Sequence, residues 1–450
     1  MSRRSSGQVT GYVPQLPPGF VLGVASSALQ TEGAAGGRAE TVWDPFVRRT
    51  GGDSPAVAAD HYHHVRGDLA LLKRLGVTGY RFSTSWARVQ PDGPDTVDQA
   101  GLDFYDRLVD GLLEAGIAPM VTLHHWDLPQ RLEDDGGWLN RATIEEFADY
   151  AYVMADRLGD RVASWVPVNA PNVETMQGYA TGQHAPGRRL GLDSLHVAHH
   201  LLLAHGRATV ALRQAGVVAV GCANFHAPMW PASDDPADVG ATKLFDALWN
   251  GMFLEPMLLG QYPADLMPLV EELIQPGDLA EIRQPLDFYG VSYYRPMRVA
   301  AAEEGAPLPF RFLQTVGYPE TDAGWAVVPD ALREWLITLR ARFRNALPPI
   351  VITECGASYD TGPGPGGVID DAARVDYLAG HLEAVSAAAQ RGVDVRGFYV
   401  WSFLDSFQWT GGFRERYGLV HVDFDSLVRT PKRSYHWYSR VIAAQPRSRG

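Results

Sequence analysis

Eight short apolar runs recur along this chain, and stretches with helical spacing separate them. The runs are Phe20–Ser26, Val77–Ser83, Ala118–Leu123, Ser164–Val168, Val217–Gly221, Phe288–Tyr294, Pro349–Thr353 and Arg396–Trp401. Short runs of this kind, rich in β-branched and aromatic residues, read as buried strands. Helical spacing covers 61–75, 101–115, 142–158, 194–215, 329–343, 371–391 and 435–443. In the first of these Val65, Leu69, Leu72 and Leu75 recur on one face, and in the second Leu102, Tyr105, Leu108, Val109 and Leu112. Asp193 or Ser194 is placed to cap the fourth. Strands alternating with helices pair in parallel through right-handed crossovers. Eight such units make a closed (β/α)8 TIM barrel, an α/β fold. A doubly wound open sheet competes, but no Gly-x-Gly-x-x-Gly turn follows the first run.

The 450 residues suffice for one large barrel, and no linker divides them. The expected organisation is a flexible N-terminal tail over 1–17 and a single barrel domain over 18–445. Elaborated loops on the active face are expected over 224–286 and 295–327. A formal charge of −13 argues against a nucleic-acid or anionic-membrane partner. No stretch approaches ~18 uninterrupted apolar residues, so no membrane span is expected. Arg3-Arg4 is followed by polar residues, so neither a signal peptide nor twin-arginine export is read, and a cytoplasmic protein is expected. Two cysteines, Cys222 and Cys355, imply no disulfide framework.

Polar groups gather where the runs end: Gln30, Arg81, His124, His125, Trp126, Asn169, Tyr294, Glu354 and Trp401. On a barrel these ends share one mouth. The stretch Pro349-Ile-Val-Ile-Thr-Glu-Cys-Gly356 holds a carboxylate at the carboxyl end of a core strand. Amide, imidazole, guanidinium, phenol and indole groups around that carboxylate suit a sugar, whose hydroxyls need fixed partners and whose ring faces need an aromatic platform.

Seven stretches together resemble glycoside hydrolase family 1, the β-glucosidase-type retaining enzymes. They are Ala25-Ser-Ser-Ala-Leu-Gln-Thr-Glu-Gly33, Asp60-His-Tyr-His63, Tyr80-Arg-Phe-Ser-Thr-Ser-Trp86, Leu123-His-His-Trp-Asp-Leu-Pro129, Asn169-Ala-Pro171, Ile352-Thr-Glu-Cys-Gly356 and Trp401-Ser-Phe-Leu-Asp-Ser-Phe-Gln-Trp409. The resemblance spans almost the whole chain. It implies a small-molecule or oligosaccharide β-glycoside as substrate, with no cofactor and no metal. It implies a retaining mechanism, in which one carboxylate attacks the anomeric carbon and a second, ~5 Å away, serves as acid and then base. By matched position Glu354 is the nucleophile, and Arg81 and Tyr294 hold it. Gln30, His125, Trp126 and Asn169 bind sugar hydroxyls. Trp401 is the platform, with Gln408 and Trp409 at the far end of the ring. Oligomeric state is left open.

The departures matter as much. The family's strand-four motif is Asn-Glu-Pro and its Glu is the acid/base, whereas this chain has Asn169-Ala170-Pro171. A methyl group cannot carry a proton, and such help is worth roughly 10²–10⁴-fold. The preferred reading is a deliberate Glu→Ala substitution in an otherwise competent β-glycosidase, which binds glycosides and hydrolyses them poorly. The alternatives are a natural sugar-binding pseudoenzyme, a transglycosylase of small-molecule glycosides, or a substitute acid such as Glu174. Glu174 reads more simply as a solvated helix residue. Cys355 and Ser292 stand where the family usually has Asn, and Gln408 where it usually has Glu. Tyr417 fits the 6-phospho-sugar branch but Gln408 and Glu415 do not, which leaves only Arg414 and Arg416 to favour a phosphorylated sugar. His61, His63 and His64 read as structural or solvated histidines, and Cys355 as a packing residue.

Overall fold

The computed structural model describes residues 14–446. Its centre is one parallel sheet of eight strands: β1 Val21–Ala25, β2 Gly79–Ser83, β3 Ala118–His124, β4 Ser164–Val168, β5 Gly221–His226, β6 Phe288–Tyr293, β7 Ile350–Cys355 and β8 Val395–Trp401. The order is β4-β3-β2-β1-β8-β7-β6-β5. Parallel bridges Trp165↔Val220 and Asn169↔Ala223 join β4 to β5 and close the ring. This is the (β/α)8 barrel that the alternation predicts.

Side chains fill the barrel, as the fold requires. Ala25, Met120, Val166, Ala223, Phe288, Val351 and Tyr399 pack together inside it. Large and small residues compensate: a Cβ at Gly79 would strike the Tyr399 ring, so β2 carries no side chain there. Outside run helices α1 His61–Leu75, α2 Gln99–Glu114, α3 Ala142–Leu158, α4 Leu195–Gln214, α5 Pro329–Phe343, α6 Ala372–Gln390 and α7 Arg433–Ala443. Asp98 caps α2, its Oδ1 accepting from the backbone N–H of Ala100 at 2.7 Å and of Gly101 at 3.2 Å. The whole expected apolar face of α2 is buried.

Four expectations need adjustment. The fifth strand begins at Gly221 rather than Val217, because Val218 is 85% exposed while Asn224 and His226 turn inward to the Tyr289 hydroxyl. On α1 the buried stripe is His61, Asp68, Leu71, Leu72 and Leu75, with Val65 and Leu69 at its edge. Asp68 is buried there because Arg429 at 3.0 Å neutralises it and the His61 ring shares a hydrogen bond with it at 2.7 Å. Ser194 does not cap α4, since it already sits in helical geometry and its hydroxyl donates back to the Gly191 carbonyl. Of the expected tail, residues 1–13 lie outside the described residues. Leu16 is buried, and the carbonyl of Gln15 accepts from the Ser386 hydroxyl at 2.6 Å.

The two long loops hold more order than the sequence shows. Met229–Pro231, Met297–Ala301 and Phe310–Leu313 form a small three-stranded sheet, with Met297–Ala301 in the middle. It brings Met297 to the rim of the active face. No helix among the described residues is long and apolar enough to cross a membrane.

Candidate active site

The end of β7 aims the central carboxylate. Its pairing slips against both neighbours, between Ile352 and Glu354 on β6 and between Ile352 and Cys355 on β8. Such a bulge bends a strand and redirects a side chain. Glu354 turns to the barrel mouth and Cys355 to the outer layer, where its sulfur lies 3.6 Å from the Tyr377 hydroxyl. Burial pushes that thiol up to about 12, so Cys355 is a packing group, as expected. The next residue must be glycine, because a Cβ on Gly356 would overlap the Trp401 carbonyl oxygen.

Glu354 is 5% exposed, and each of its oxygens has one donor. Arg81 Nη1 donates to Oε1 at 2.6 Å and the Tyr294 hydroxyl donates to Oε2 at 2.8 Å. Burial, then the charge of Glu354, holds the Tyr294 phenol far above its ordinary value, so it stays a donor. Arg81 is fixed in turn: its Nε donates to Thr122 Oγ1 at 3.1 Å and its Nη2 to Asn169 Oδ1 at 2.6 Å. That bond orients the Asn169 amide, whose Nδ2 donates to His125 Nε2 at 3.0 Å. His125 is therefore neutral with its proton on Nδ1. Burial first, then Arg81 and His124, pull it well below the usual imidazole range.

The sugar-binding candidates divide into a wall and a backing layer. His125, Trp126, Trp401, Gln408 and Trp409 line the cavity with Glu354, Tyr294 and Ala170. Trp126 is held by its indole N–H, which donates to the Asn169 carbonyl at 2.9 Å. Trp409 packs against Trp126 at 4.6 Å between ring centres and against His125 at 5.8 Å. Gln30, Arg81 and Asn169 stand behind that wall. Gln30 is fully buried, donates to the Phe407 carbonyl at 2.7 Å and to Gln408 Oε1 at 3.2 Å, and accepts from Ser27. It thus orients Gln408.

Position 170 is unusual. Ala170 begins the turn after β4 with φ 40° and ψ 59°, the left-handed region. That geometry costs a non-glycine residue of order 1–3 kcal/mol and persists where the surroundings impose it. Here the Ala170 N–H donates to the Ala223 carbonyl at 2.7 Å, and Pro171 follows. Glu174, four residues on, is neither solvated nor in the cavity. It is buried, accepting from His124 Nε2 at 2.9 Å and from the Trp138 indole at 3.0 Å. Burial lowers His124, but the charge and hydrogen bonds of Glu174 outweigh it and hold the imidazole above its usual value. The neighbouring Asp127 is pushed up to about 6 by burial, and its Oδ2 has no protein partner.

The cavity holds about 300 Å³. Its wall includes residues that the strand pattern does not indicate: His184, Phe225, Trp249, Arg295 and Trp325. Burial lowers His184 to about 3, and its neutral ring packs near Trp43 and Trp126. His184, Arg295 and Trp325 lie in loops or just past a strand end, where no periodicity marks them, while Phe225 sits near the end of β5 and Trp249 in a short helical turn of the long loop after it. Of the three histidines at the start of α1, His61 pairs with Asp68, and His63 and His64 pair with Asp60.

Comparison with known proteins gives this site its family. The model described as glycosyl hydrolase family 1 matches residues 12–446. The chain belongs to glycosyl hydrolase family 1. It is 39% identical to beta-glucosidase A of Acetivibrio thermocellus, over 95% of this chain and 98% of that protein. The structure of the psychrophilic beta-glucosidase BglU of Micrococcus antarcticus superposes with a TM-score of 0.92 at 43% identity, covering 97% of this chain and 98% of that one. A Thermotoga maritima beta-glucosidase, solved in complex with deoxynojirimycin, gives 0.90 at 36% identity, over 96% and 99% of the two chains. This family 1 member keeps a β-glucosidase-like retaining-glycosidase architecture and departs from the family motif at Ala170. Its other departures are quiet in structure. Ser292 shares a hydrogen bond of 3.1 Å with Thr353, and Gln408 donates to Ser406 at 3.0 Å.

Proposed function

We propose that this protein acts on β-linked glycosides through a covalent glycosyl-enzyme on Glu354, and that Ala170 leaves the cycle without its proton carrier. Glu354 Oε attacks the anomeric carbon as the bond to the leaving oxygen breaks, and the electron pair departs with that oxygen. With glutamate at 170 the leaving oxygen would receive a proton at the same moment. A methyl supplies none, so only leaving groups stable as anions depart readily. Water then attacks the intermediate unaided, which slows its release. Arg81 and Tyr294 hold the two oxygens of Glu354 and point the carboxylate at the sugar. The Trp401 ring lies under the sugar, and His125, Trp126 and Gln408 meet its hydroxyls.

One observation carries this reading: a buried carboxylate with a cation on one oxygen and a phenol on the other shares its cavity with a methyl held on left-handed backbone. Strained backbone at a side chain with no chemistry of its own supports a glutamate replaced by design. The deoxynojirimycin complex of the Thermotoga relative supports a sugar-sized ligand in this cavity. The test is intact-mass spectrometry after mixing with a 2,4-dinitrophenyl 2-deoxy-2-fluoro-β-glucoside. A single added fluorosugar mapped to Glu354 is expected. No adduct would mark a sugar-binding pseudoenzyme instead, and alkyl glycosides formed in the presence of an acceptor alcohol would mark a transglycosylase.

A further inference from the structure

Arg295 follows the Glu354-binding Tyr294 and lines the same cavity. Its guanidinium carbon lies 4.8 Å from the ring centre of Trp325, in stacking range. Trp325 packs edge-on against Tyr294 at 5.5 Å, so both flank the nucleophile's phenol. The fully buried arginines Arg81, Arg88 and Arg374 have carboxylates: Arg81 has Glu354, Arg88 has Glu32, and Arg374 has Asp371. Among the described residues no carboxylate pairs with Arg295. Burial lowers it, and only the Tyr417 phenol acts the other way. Glu415, on the same wall, interacts with the Tyr417 hydroxyl. The arginines that pointed to a phosphorylated sugar are placed elsewhere. Arg416 is bound to Asp405 at 3.0 Å, and neither it nor Arg414 lines the cavity.

A half-buried guanidinium without a counter-ion keeps its desolvation cost until an anion arrives. Stacking on an indole fixes the plane of the fork and leaves its N–H edge free for a planar anion. We propose that Arg295 reads a carboxylate carried by the substrate, so that this member of the family selects glycosides with one negative charge. The inference rests on the glycoside reading above. The carboxylate can sit on the leaving group or on the sugar, and two pairs of probes separate these sources.

The experiment is equilibrium calorimetry on the protein with Ala170, whose slow turnover leaves the probes intact. The first pair is 4-carboxyphenyl β-glucoside and its uncharged carboxamide twin. The second is phenyl β-glucuronide and phenyl β-glucoside. In one pair the acid is expected to bind roughly 10- to 100-fold tighter, the range of a charge-assisted hydrogen bond. That ratio is expected to fall towards one in Arg295→Gln, to survive in part in Arg295→Lys, and to shrink with added salt in the unsubstituted protein. A ratio confined to the first pair assigns the charge to the leaving group, and one confined to the second assigns it to the sugar. If phenyl β-glucoside binds but neither acid is preferred, the inference is overturned. If no probe binds at all, the glycoside reading fails first and takes this one with it.

Discussion

Restoring the missing carboxyl is the sharpest perturbation available. In Ala170→Glu the new side chain starts from a Cβ that already lines the cavity with Glu354, and the backbone beneath it is already left-handed. The substitution therefore adds a proton carrier without asking the turn to change. General acid–base help of roughly 10²–10⁴-fold corresponds to about 3–5 kcal/mol of activation free energy at 1.36 kcal/mol per decade. The gain depends on the leaving group. For methyl or cellobiosyl β-glucosides, whose alkoxides depart poorly, the full factor is expected in kcat/KM. For 2,4-dinitrophenyl β-glucoside the first step needs no acid, so kcat/KM changes little while kcat rises with faster deglycosylation. Azide is expected to accelerate only the Ala170 form and to give the β-glycosyl azide, because a small anion needs no base. Ala170→Gln, with the same shape and no titrating proton, is expected to gain nothing. Steady-state assays across the leaving-group series, with product identification by NMR, measure all of this. If Ala170→Glu leaves turnover of the methyl glycoside within about twofold of the parent, the assignment of position 170 is wrong.

Other perturbations probe the frame. Glu174→Gln is expected to lower stability by about 1–3 kcal/mol, because it weakens the buried bonds to His124 and Trp138. It should leave the residual rate on dinitrophenyl glucoside unchanged, which thermal melts and initial rates check together, and a collapse of that rate would revive Glu174 as a substitute acid. Asp127 has a folded value of about 6 against an ordinary 3.8, so its ionisation disfavours the fold. That penalty is complete above pH 6 and disappears as pH falls towards 3.8, so the stability gained by Asp127→Asn, about 1–3 kcal/mol near neutrality, should narrow through this window in denaturant titrations. Gly356→Ala forces a methyl into the Trp401 carbonyl, and a loss of several kcal/mol, roughly 2–4, is expected in chemical unfolding. A wild-type melt would show that β7 and β8 can part there without cost.

Sequence patterning reached the barrel because most strands announce themselves. Ser164–Val168 and Pro349–Thr353 are apolar on both faces, as strands between a packed interior and a helical layer must be. β5 was displaced because its own residues carry Asn224 and His226, whose polarity is absorbed by Tyr289 on the neighbouring strand and, for His226, by Asn250 in the loop beyond. The accessory sheet was invisible for a related reason, since its three strands are short and two long loops supply them. At the site, motif residues at strand ends were legible, and the division between cavity wall and backing layer was not. Gln30 and Asn169 read as sugar ligands from their motifs alone, and the bonds their side chains make to Gln408, Arg81 and His125 are revealed only by three-dimensional packing. Arg295 and Trp325 carry no signal beyond their type, because loop residues have no period.

The left-handed turn at position 170 is held by an inter-strand hydrogen bond and by the proline after it, and owes nothing to the methyl it displays. The position therefore works as a socket: thiol, imidazole or a shortened acid can be plugged in without rebuilding the mount. Chemistry at this mouth becomes a matter of one interchangeable part, and the scaffold stays ready for whichever is fitted.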